Sequence, residues 1–309
     1  MRSISKGVED FISLRRSFGF AFEKGAHELR DLALFLKKTK KKNLDTPAIL
    51  DWLESHSQAS HKTQSVRLGH AHTFAKYWKA FCPLTQVPDR NIANHQPTRA
   101  RPYIYTSAEC RNILRACFDM RSAEGHSRSK LYQHAYYTIY GLIMTTGLRR
   151  NEAVNLRNHH IDLVKGTLFV ELTKFRKSRL IPLDSTTVAE LSKYLKLRNK
   201  LVSHAKTDHF FLASPNRGVS HDMIYYRFVR ICHQLGIRPA VGGRGARLHD
   251  LRHTFAVRVI QRWLVQRKNI HEMMPLLSSY MGHDHPSDTY WYLTGIPEIL
   301  KYGLHKDQR

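Results

Sequence analysis

Residues 247–294 begin RLHDLRHTFAVRV and end LLSSYMGHDHPSDTYWYLT, and their spacing is the most informative feature of the chain. His249 lies three residues before Arg252, and His283 lies nine residues before Tyr292. The stretch therefore brings one arginine, two histidines and one tyrosine into a short segment that reads as two or three helices. Such a set suggests a shared site rather than separate surface residues.

A second segment, TTGLRRNEAVNL (residues 145–156), adds another arginine, Arg149. Two arginines, two histidines and a tyrosine fit neither a metal site nor a hydrolytic triad. They fit one phosphodiester, whose charge the cations would hold while the hydroxyl of Tyr292 attacks phosphorus. A phenol has an ordinary pKa of about 10, so the attack also needs a proton acceptor and positive surroundings. The pattern predicts phosphoryl transfer through a tyrosine.

The charge of the chain is strongly positive. Lys and Arg total 50 against 25 Asp and Glu, which leaves a net charge of +25 and a pI near 10.1. An excess of this size repels itself in the folded state unless a polyanion neutralises it. Nucleic acid is the predicted partner, ahead of a membrane surface. The N-terminus lacks the apolar core of a secretory signal and no run is long enough to span a membrane, so a cytoplasmic, DNA-associated protein is expected.

Cysteine and histidine spacing gives no sign of a disulfide framework or a metal site. The adjacent pair His159–His160 is too close in sequence for both rings to face one metal from a regular helix, and no H-E-x-x-H motif occurs. We therefore expect no metal and no other cofactor. The four scattered cysteines, predicted to be reduced thiols, are Cys82, Cys110, Cys117 and Cys232.

Hydrophobic patterning predicts a helical N-terminal domain over residues 1–90. Leucines at positions 29, 32 and 36 have helical spacing, and a further helix is predicted over about 60–81. That helix should turn Val66, Leu68, Phe74, Tyr77 and Trp78 inward, and expose Lys62, Arg67, Lys76 and Lys79. The proline-rich, aperiodic stretch 91–102 is predicted to be a linker.

Residues 103–309 are predicted to form a second domain, mainly α with a small antiparallel sheet. A capping box at Thr106–Glu109 should start its first helix, and 120–130 is predicted to be a loop. Two strand patterns, 167–172 and 178–183, flank a basic turn. Further helices are expected over 136–144, 184–203, 221–235, 250–267, 271–281 and 287–293.

The motifs in residues 103–294 resemble those of the tyrosine recombinase (phage integrase) family. In that family TGLR carries the first catalytic arginine, an acidic residue three positions later supports it, and H-x-x-R and Gly-His precede the tyrosine. A lysine lies in the turn between two strands. The residues at these positions are Arg149, Glu152, Lys174, His249, Arg252, His283 and Tyr292.

The resemblance implies a role for each reacting group. The two arginines would hold the non-bridging phosphate oxygens, and His283 would donate a further hydrogen bond. His249 would accept the proton of Tyr292, while Lys174 would protonate the leaving 5′ oxygen. The neighbouring His253 is interpreted as a packed core residue or a helper. Two departures from the family pattern leave these groups in place: Thr294 replaces a common histidine, and no glycines flank the turn lysine.

The implied reaction is site-specific DNA recombination or integration without a metal. Cleavage would leave a 3′-phosphotyrosine and a free 5′-hydroxyl, and a 5′-hydroxyl of another duplex would then release the tyrosine. The expected assembly is a homotetramer on two double-stranded DNA sites, with the two domains on opposite faces of a duplex. Residues 297–309 are the candidate segment for linking subunits.

Two alternative functions remain open from the sequence. A type IB topoisomerase uses a similar phosphate site but reseals the original strand, and a non-cutting regulator could retain the fold. The separate helical domain favours a recombinase over the first, and the full set of reacting groups argues against the second. The target sequence, the choice between integration, excision and resolution within a mobile genetic element, and accessory DNA-bending proteins stay open.

Overall fold

The protein consists of two compact units, Met1–Arg99 and Ala100–Arg309, in a computed structural model. The structure describes residues 3–93, 101–119, 126–171, 178–239, 245–283 and 285–295. Four predicted features lie wholly or partly outside the described residues. They are the linker beyond residue 93, the loop up to residue 125, the basic turn with Lys174, and the segment 297–309.

The first unit is helical, as predicted. Its helices are α1 (Ile4–Ser17), α2 (Glu23–Lys38), α3 (Thr46–Glu54) and α4 (His61–Lys79), followed by a 3-10 turn at Arg90–Ala93. Side chains of Ser3, Asp45 and Ser60 accept backbone N–H bonds at three of the helix starts, which satisfies donors that a helix leaves unpaired. Leu29, Leu32 and Leu36 are all buried, in agreement with their spacing.

Helix α4 differs from the sequence prediction at two neighbouring positions. Val66, expected inside, is 37% exposed, whereas Arg67, expected on the surface, turns inward. The Nε atom of Arg67 lies 4.0 Å from a carboxylate oxygen of Glu28, which is itself buried. Lys24 and His70 also contact this carboxylate, so Arg67 is one of three basic side chains gathered around a buried acid. The predicted exposure of Lys62, Lys76 and Lys79 is confirmed.

The second unit is mainly α-helical with two small antiparallel sheets, which confirms the predicted fold class. Strands β1 (Ile161–Asp162), β2 (Thr167–Val170) and β3 (Arg179–Pro182) form one sheet in that order, with Leu168 opposite Ile181. Strands β4 (Leu212–Ser214) and β5 (Arg217–Gly218) form the other. The helices are α5 (Ser107–Asp119), α6 (His126–Thr146), α7 (Arg150–Val154), α8 (Ser185–Leu201), α9 (His221–Gln234), α10 (Asp250–Val265), α11 (Ile270–Met281) and α12 (Ser287–Gly295).

Local signals were reliable at some element boundaries and wrong at others. The capping box is confirmed: the N–H of Thr106 donates to Glu109 at 2.7 Å, and the N–H of Glu109 donates to Thr106 at 3.1 Å. The predicted loop was wrong over its last residues, because α6 already begins at His126. Residues 126–140 contain neither glycine nor proline, so the sequence after Gly125 can be helical throughout. The β4–β5 pair escaped prediction because such short strands show no alternation.

Helix α6 is the centre of the larger core in the second unit. It packs against α5, α8 and α10, and its buried face includes Ile139 and Tyr140. A smaller core joins α10, α11 and α12 and contains Tyr292. The extended residue Tyr105 ties the chain to α10, because its N–H donates to Thr254 and its hydroxyl to the carbonyl of Arg247, each at 3.0 Å. The start of α10 is therefore fixed from several sides.

We expect Gly147→Ala to destabilise the second unit by about 1–3 kcal/mol. Gly147 ends α6 with φ +64°, and a Cβ there would lie 2.4 Å from Cδ1 of Phe255. An alanine would be strained by both the backbone conformation and the contact. Gly141→Ala is the matched control: it lies within α6 with only a Leu114 atom at 4.0 Å, so it should stabilise by about 0.5–1 kcal/mol. Urea unfolding midpoints measure both, and equal shifts would contradict this account.

Candidate active site

The turn between α6 and α7 positions Arg149. The left-handed conformation of Gly147 reverses the chain, and Arg149 then caps the N-terminus of α7. Its backbone N–H donates to a carboxylate oxygen of Glu152 at 2.8 Å, and its Nη1 donates to the other at 2.9 Å. The short spacing between the two residues thus serves both the helix start and the orientation of the guanidinium.

Glu152 also binds a second arginine, which no sequence motif singles out. Arg179, the first residue of β3, donates to both carboxylate oxygens of Glu152, at 3.1 and 2.7 Å. Burial alone would raise the pKa of Glu152, but the hydrogen bonds and charges of Arg179, with the contacts from Arg149, lower it below its ordinary value. One carboxylate therefore holds two guanidinium groups, and the sheet is joined to the α6–α7 turn.

Glu152→Gln should lower stability at pH 7 by about 2 kcal/mol, since it removes charged hydrogen bonds from a buried site. The folded pKa lies below the ordinary 4.5, so the stabilising contribution is complete above about pH 4.5 and is lost as the pH falls through the folded pKa. The difference between wild type and variant should therefore shrink in acid. Chemical unfolding at a series of pH values measures this, with Glu190→Gln at an exposed pair with Lys193 as control. A difference that stays constant in acid would refute the assignment.

Two arginines donate hydrogen bonds to consecutive backbone carbonyls at the C-terminus of α11. Arg252 donates through Nη2 to the carbonyl of Met281 at 2.6 Å and through Nη1 to that of Gly147 at 2.7 Å, and Arg149 donates to the carbonyl of Gly282. Arg252 is only 2% exposed. Its pKa is lowered to about 9 by burial and by the charge of Arg149, so it stays protonated at neutral pH. The predicted arginines are thus brought together, with His283 the next residue along the chain.

Gly282 has a conformation and surroundings that a side chain would disturb. It caps α11 with φ +65°, and a Cβ there would lie 2.9 Å from Nη1 of Arg179 and 3.4 Å from Nη1 of Arg149. The glycine of the Gly-His motif therefore lets two guanidinium groups approach the chain. The following His283 is half-buried, and its Nδ1 lies 2.6 Å from the hydroxyl of Thr289 at the start of α12. This hydrogen bond fixes the plane of the imidazole.

His249 borders a cleft of about 750 Å³ whose lining is strongly basic. Its pKa is lowered first by the protein packed around the ring, and then by the positive charges of Arg252, Arg247 and Arg149. The residue is also exposed on the cleft side, where water offsets part of the burial. The ring is accordingly neutral at pH 7. The arginines lining the cleft are Arg101, Arg149, Arg150, Arg238 and Arg247, beside Tyr103 and Tyr225.

Tyr292 lies on α12 and is 1% exposed. Its hydroxyl oxygen lies 2.7 Å from Nδ1 of His253, one turn after His249 on α10. The rings of His249 and His253 meet edge to face with centroids 4.8 Å apart. His253 was interpreted from sequence as a packing residue or helper, and only the structure places it against the tyrosine. Lys174 lies outside the described residues, and its role stays a prediction.

A group of potential metal ligands lies away from this site. His159, His160 and Glu171 have ligand atoms within 4.8 Å of one another, because the two histidines lie on a 3-10 turn rather than the regular helix assumed from sequence. However, Nδ1 of His160 accepts the N–H of Arg157 at 3.1 Å, so the proton of the neutral ring belongs on Nε2. A metal on Nε2 would force the proton onto Nδ1, against that N–H. The hydrogen bonding therefore opposes a metal here.

Comparison with known sequences gives one consistent result. Residues 106–295 match the family described as "Phage integrase family". A putative integrase/recombinase, y4rB, of Sinorhizobium fredii is 34% identical over all of this chain and 98% of its own length. Tyrosine recombinase XerD of Rickettsia conorii is 24% identical over 76% of this chain and 77% of its own.

Solved structures show the same fold at lower identity. The XerH recombinase in a post-cleavage complex with its palindromic difH substrate has a TM-score of 0.64 and 18% identity, covering 92% of this chain and 79% of that one. The Tn1549 transposon integrase with transposon right end DNA has a TM-score of 0.67 and 15% identity, covering 99% of each. Within the described part of the chain, no helix combines the length and apolar character that a membrane span requires.

Proposed function

This chain belongs to the phage integrase family, and from that membership we propose that it recombines DNA at specific sites, cutting and rejoining strands through Tyr292. The observation that supports this most directly is the meeting of Arg149 and Arg252 on consecutive carbonyls of α11, next to His283. Guanidinium groups held in this way can stabilise the charge of a five-coordinate phosphorus. This arrangement supports the roles that the resemblance implies for the two arginines.

Arg149 is the group best placed to meet a phosphate from the cleft. It lines the cleft, and its side chain is 29% exposed, whereas Arg252 lies buried behind it. We assign both arginines to the non-bridging oxygens, with Glu152 orienting Arg149, and His283 as a further donor. Lys174 is assigned to protonate the leaving 5′ oxygen, on the strength of its family position between the strands.

Tyr292 is enclosed, so cleavage requires a movement that brings its phenol and the phosphate together. Helix α12 carries the tyrosine. The hydrogen bond between His283 and Thr289 joins the chain that precedes this helix to its first turn. We propose that α12 shifts when DNA occupies the cleft. The 3′-phosphotyrosine formed then conserves the energy of the broken ester for religation.

The cleft is suited to a nucleic-acid backbone. Its arginines can pair with phosphates, and Arg150 already lies over the ring of Tyr225 at 5.6 Å. We further propose that residues 1–90 bind DNA as a separate domain, with exposed lysines on α4 contributing, that 91–102 link it to the catalytic domain at 103–309, and that a homotetramer on two duplexes is the active assembly. A mobile genetic element is the expected setting, and accessory DNA-bending proteins are compatible with it.

Sequencing the DNA that becomes covalently attached to the protein tests this function. Fragmented genomic DNA from the host would be incubated with purified protein, and adducts recovered after protease digestion. We expect attachment through 3′ phosphates at one recurrent pair of inverted arms. Attachment at scattered positions, together with relaxation of any supercoiled plasmid, would indicate a topoisomerase instead. Binding without any adduct would indicate a non-cutting regulator.

A further inference from the structure

We propose that Arg179 is a positioning residue for cleavage, which holds Glu152 so that Arg149 stays available to the phosphate. The inference rests on the proposed function and deepens it, because it concerns the same reaction and the same cation. Arg179 lies outside every motif that carries the family resemblance. Its contacts give it a role that the sequence does not indicate.

Arg179 holds Glu152 by two parallel hydrogen bonds. Its Nη1 donates to Oε1 at 3.1 Å and its Nη2 donates to Oε2 at 2.7 Å, so each nitrogen serves one oxygen. This two-point contact is the strong form of pairing between a guanidinium and a carboxylate. The side chains of Arg179 and Glu152 are only 11% and 9% exposed, and water therefore competes little for their hydrogen bonds. Arg179 thus occupies the strongest position on this carboxylate.

The guanidinium of Arg149 is left with a one-point contact to the same carboxylate. Its Nη1 donates to Oε1 at 2.9 Å, while its Nη2 turns away to the carbonyl of Gly282. With the backbone N–H of Arg149 on Oε2, Glu152 accepts four hydrogen bonds, about as many as two carboxylate oxygens have lone pairs to offer. Without Arg179, two of these places would open, and Arg149 would rotate into the two-point contact, away from Gly282.

The charges of these three groups lead to the same role. Two guanidinium groups share one carboxylate, which leaves one positive charge for an incoming phosphate. With a neutral residue in place of Arg179, Glu152 would cancel the charge of Arg149. Arg149 lines the basic cleft, whereas Arg179 is not among the side chains that border it, so Arg179 acts through Glu152. All three residues lie outside α12, and their mutual contacts do not depend on the position of Tyr292.

The test combines variants of the full-length protein with altered scissile phosphates. Arg179→Met removes the charge, Arg179→Lys keeps the charge without the two-point contact, and a double variant adds Glu152→Gln to Arg179→Met. Arg198→Met is the matched control, because Arg198 is also buried but donates to Asn158 and to the carbonyl of Phe210. Single-turnover cleavage at saturating protein would be followed on the DNA site recovered by adduct sequencing.

The altered substrates carry either diastereomer of a methylphosphonate at the cleavage position. A methyl group replaces one charged non-bridging oxygen, so a cation that stabilises that oxygen contributes less to cleavage. A variant that has lost only the fold would remain impaired on every substrate. Arg149→Ala identifies the diastereomer that lacks the oxygen held by Arg149.

We expect Arg179→Met to slow cleavage of the ordinary phosphate by about 10- to 100-fold, as the loss of a residue that orients a metal ligand does. Arg179→Lys should fall between this variant and the wild type, because lysine keeps the charge but lacks the planar fork. The loss in Arg179→Met should shrink with the same diastereomer that relieves Arg149→Ala. In the Glu152→Gln background, Arg179→Met should cost nothing further, since its effect passes through that carboxylate.

Three results would overturn the assignment. They are a wild-type rate in Arg179→Met, a loss of equal size on the phosphate and both methylphosphonates, and losses that multiply in the double variant. Arg198→Met should lower stability and leave the cleavage rate of saturated complexes unchanged, and a loss there as large as in Arg179→Met would also count against the role. If the wild type itself forms no adduct, the proposed function fails, whereas normal wild-type cleavage with an unimpaired Arg179→Met refutes the positioning role alone.

Discussion

Tyr292→Phe should form no covalent adduct with DNA, while still binding the same site. The substitution removes the only atom proposed to bond to phosphorus and keeps the ring that fills the core of α10, α11 and α12. The lost hydrogen bond to His253 should reduce stability by only about 1 kcal/mol, so the fold should survive. A suicide substrate nicked next to the cleavage position, followed by denaturing gel electrophoresis, measures the adduct. We expect loss to below detection.

The neighbouring Tyr290 provides the matched control for this experiment. It lies on the same helix and packs against the same core, but two residues away it projects in another direction. Tyr290→Phe should therefore cleave at close to the wild-type rate. Equal adduct from wild type and Tyr292→Phe would show that another residue attacks, and would remove the basis for every role assigned above. An equal loss in both variants would point to the packing of α12 instead.

Arg149→Ala should reduce the first-order rate of cleavage on bound DNA by about 10²- to 10³-fold, as the loss of one fixed donor to a developing anion does elsewhere. The alanine would also leave the carbonyl of Gly282 without this donor and Glu152 with Arg179 as its remaining arginine partner. The loss should appear in the rate at saturating protein, rather than in affinity alone. Quench-flow measurement of adduct formation separates the two.

Arg150, the next residue, is a stringent control because it borders the same cleft. It packs over Tyr225 and, within the described part of the chain, makes no hydrogen bond to the carbonyls of α11 or to Glu152. Arg150→Ala should weaken DNA binding, and lower the slope of log affinity against log salt by about one, without slowing cleavage of saturated complexes. If the two alanine variants shared the same defect, Arg149 would be one backbone contact among several rather than part of the reacting site.

The motifs proposed to carry the site could be recognised from sequence because each is local. Two of them, Thr-Gly-Leu-Arg and Gly-His, require a glycine for geometric reasons: Gly147 and Gly282 both have positive φ, and each is approached closely by a neighbouring side chain. The helical first unit and the β2–β3 pair followed from periodicity in the same way. Short-range spacing is sufficient where the backbone itself imposes the residue type.

Contacts between distant segments were not accessible in this way. Arg179 reaches Glu152 across 27 positions of sequence, and His253 reaches Tyr292 across 39. Nothing in the composition around Arg179 distinguishes it from the other basic residues near the turn, and His253 stands beside a more conspicuous arginine. The inward turn of Arg67 toward Glu28 has the same origin, because the partner lies on another helix. Such pairings depend on how helices and strands pack.

The hydrogen bonds from Arg149 and Arg252 to the last carbonyls of α11 have a consequence for the timing of the reaction. A phosphate that recruits these N–H groups competes with the carbonyls of Gly282 and Met281 for the same donors. Binding of a phosphate would therefore weaken the hydrogen bonds that tie the two arginines to the chain leading to α12. The enclosed phenol would be released most readily when its target has already arrived, which is an interlock against premature attack.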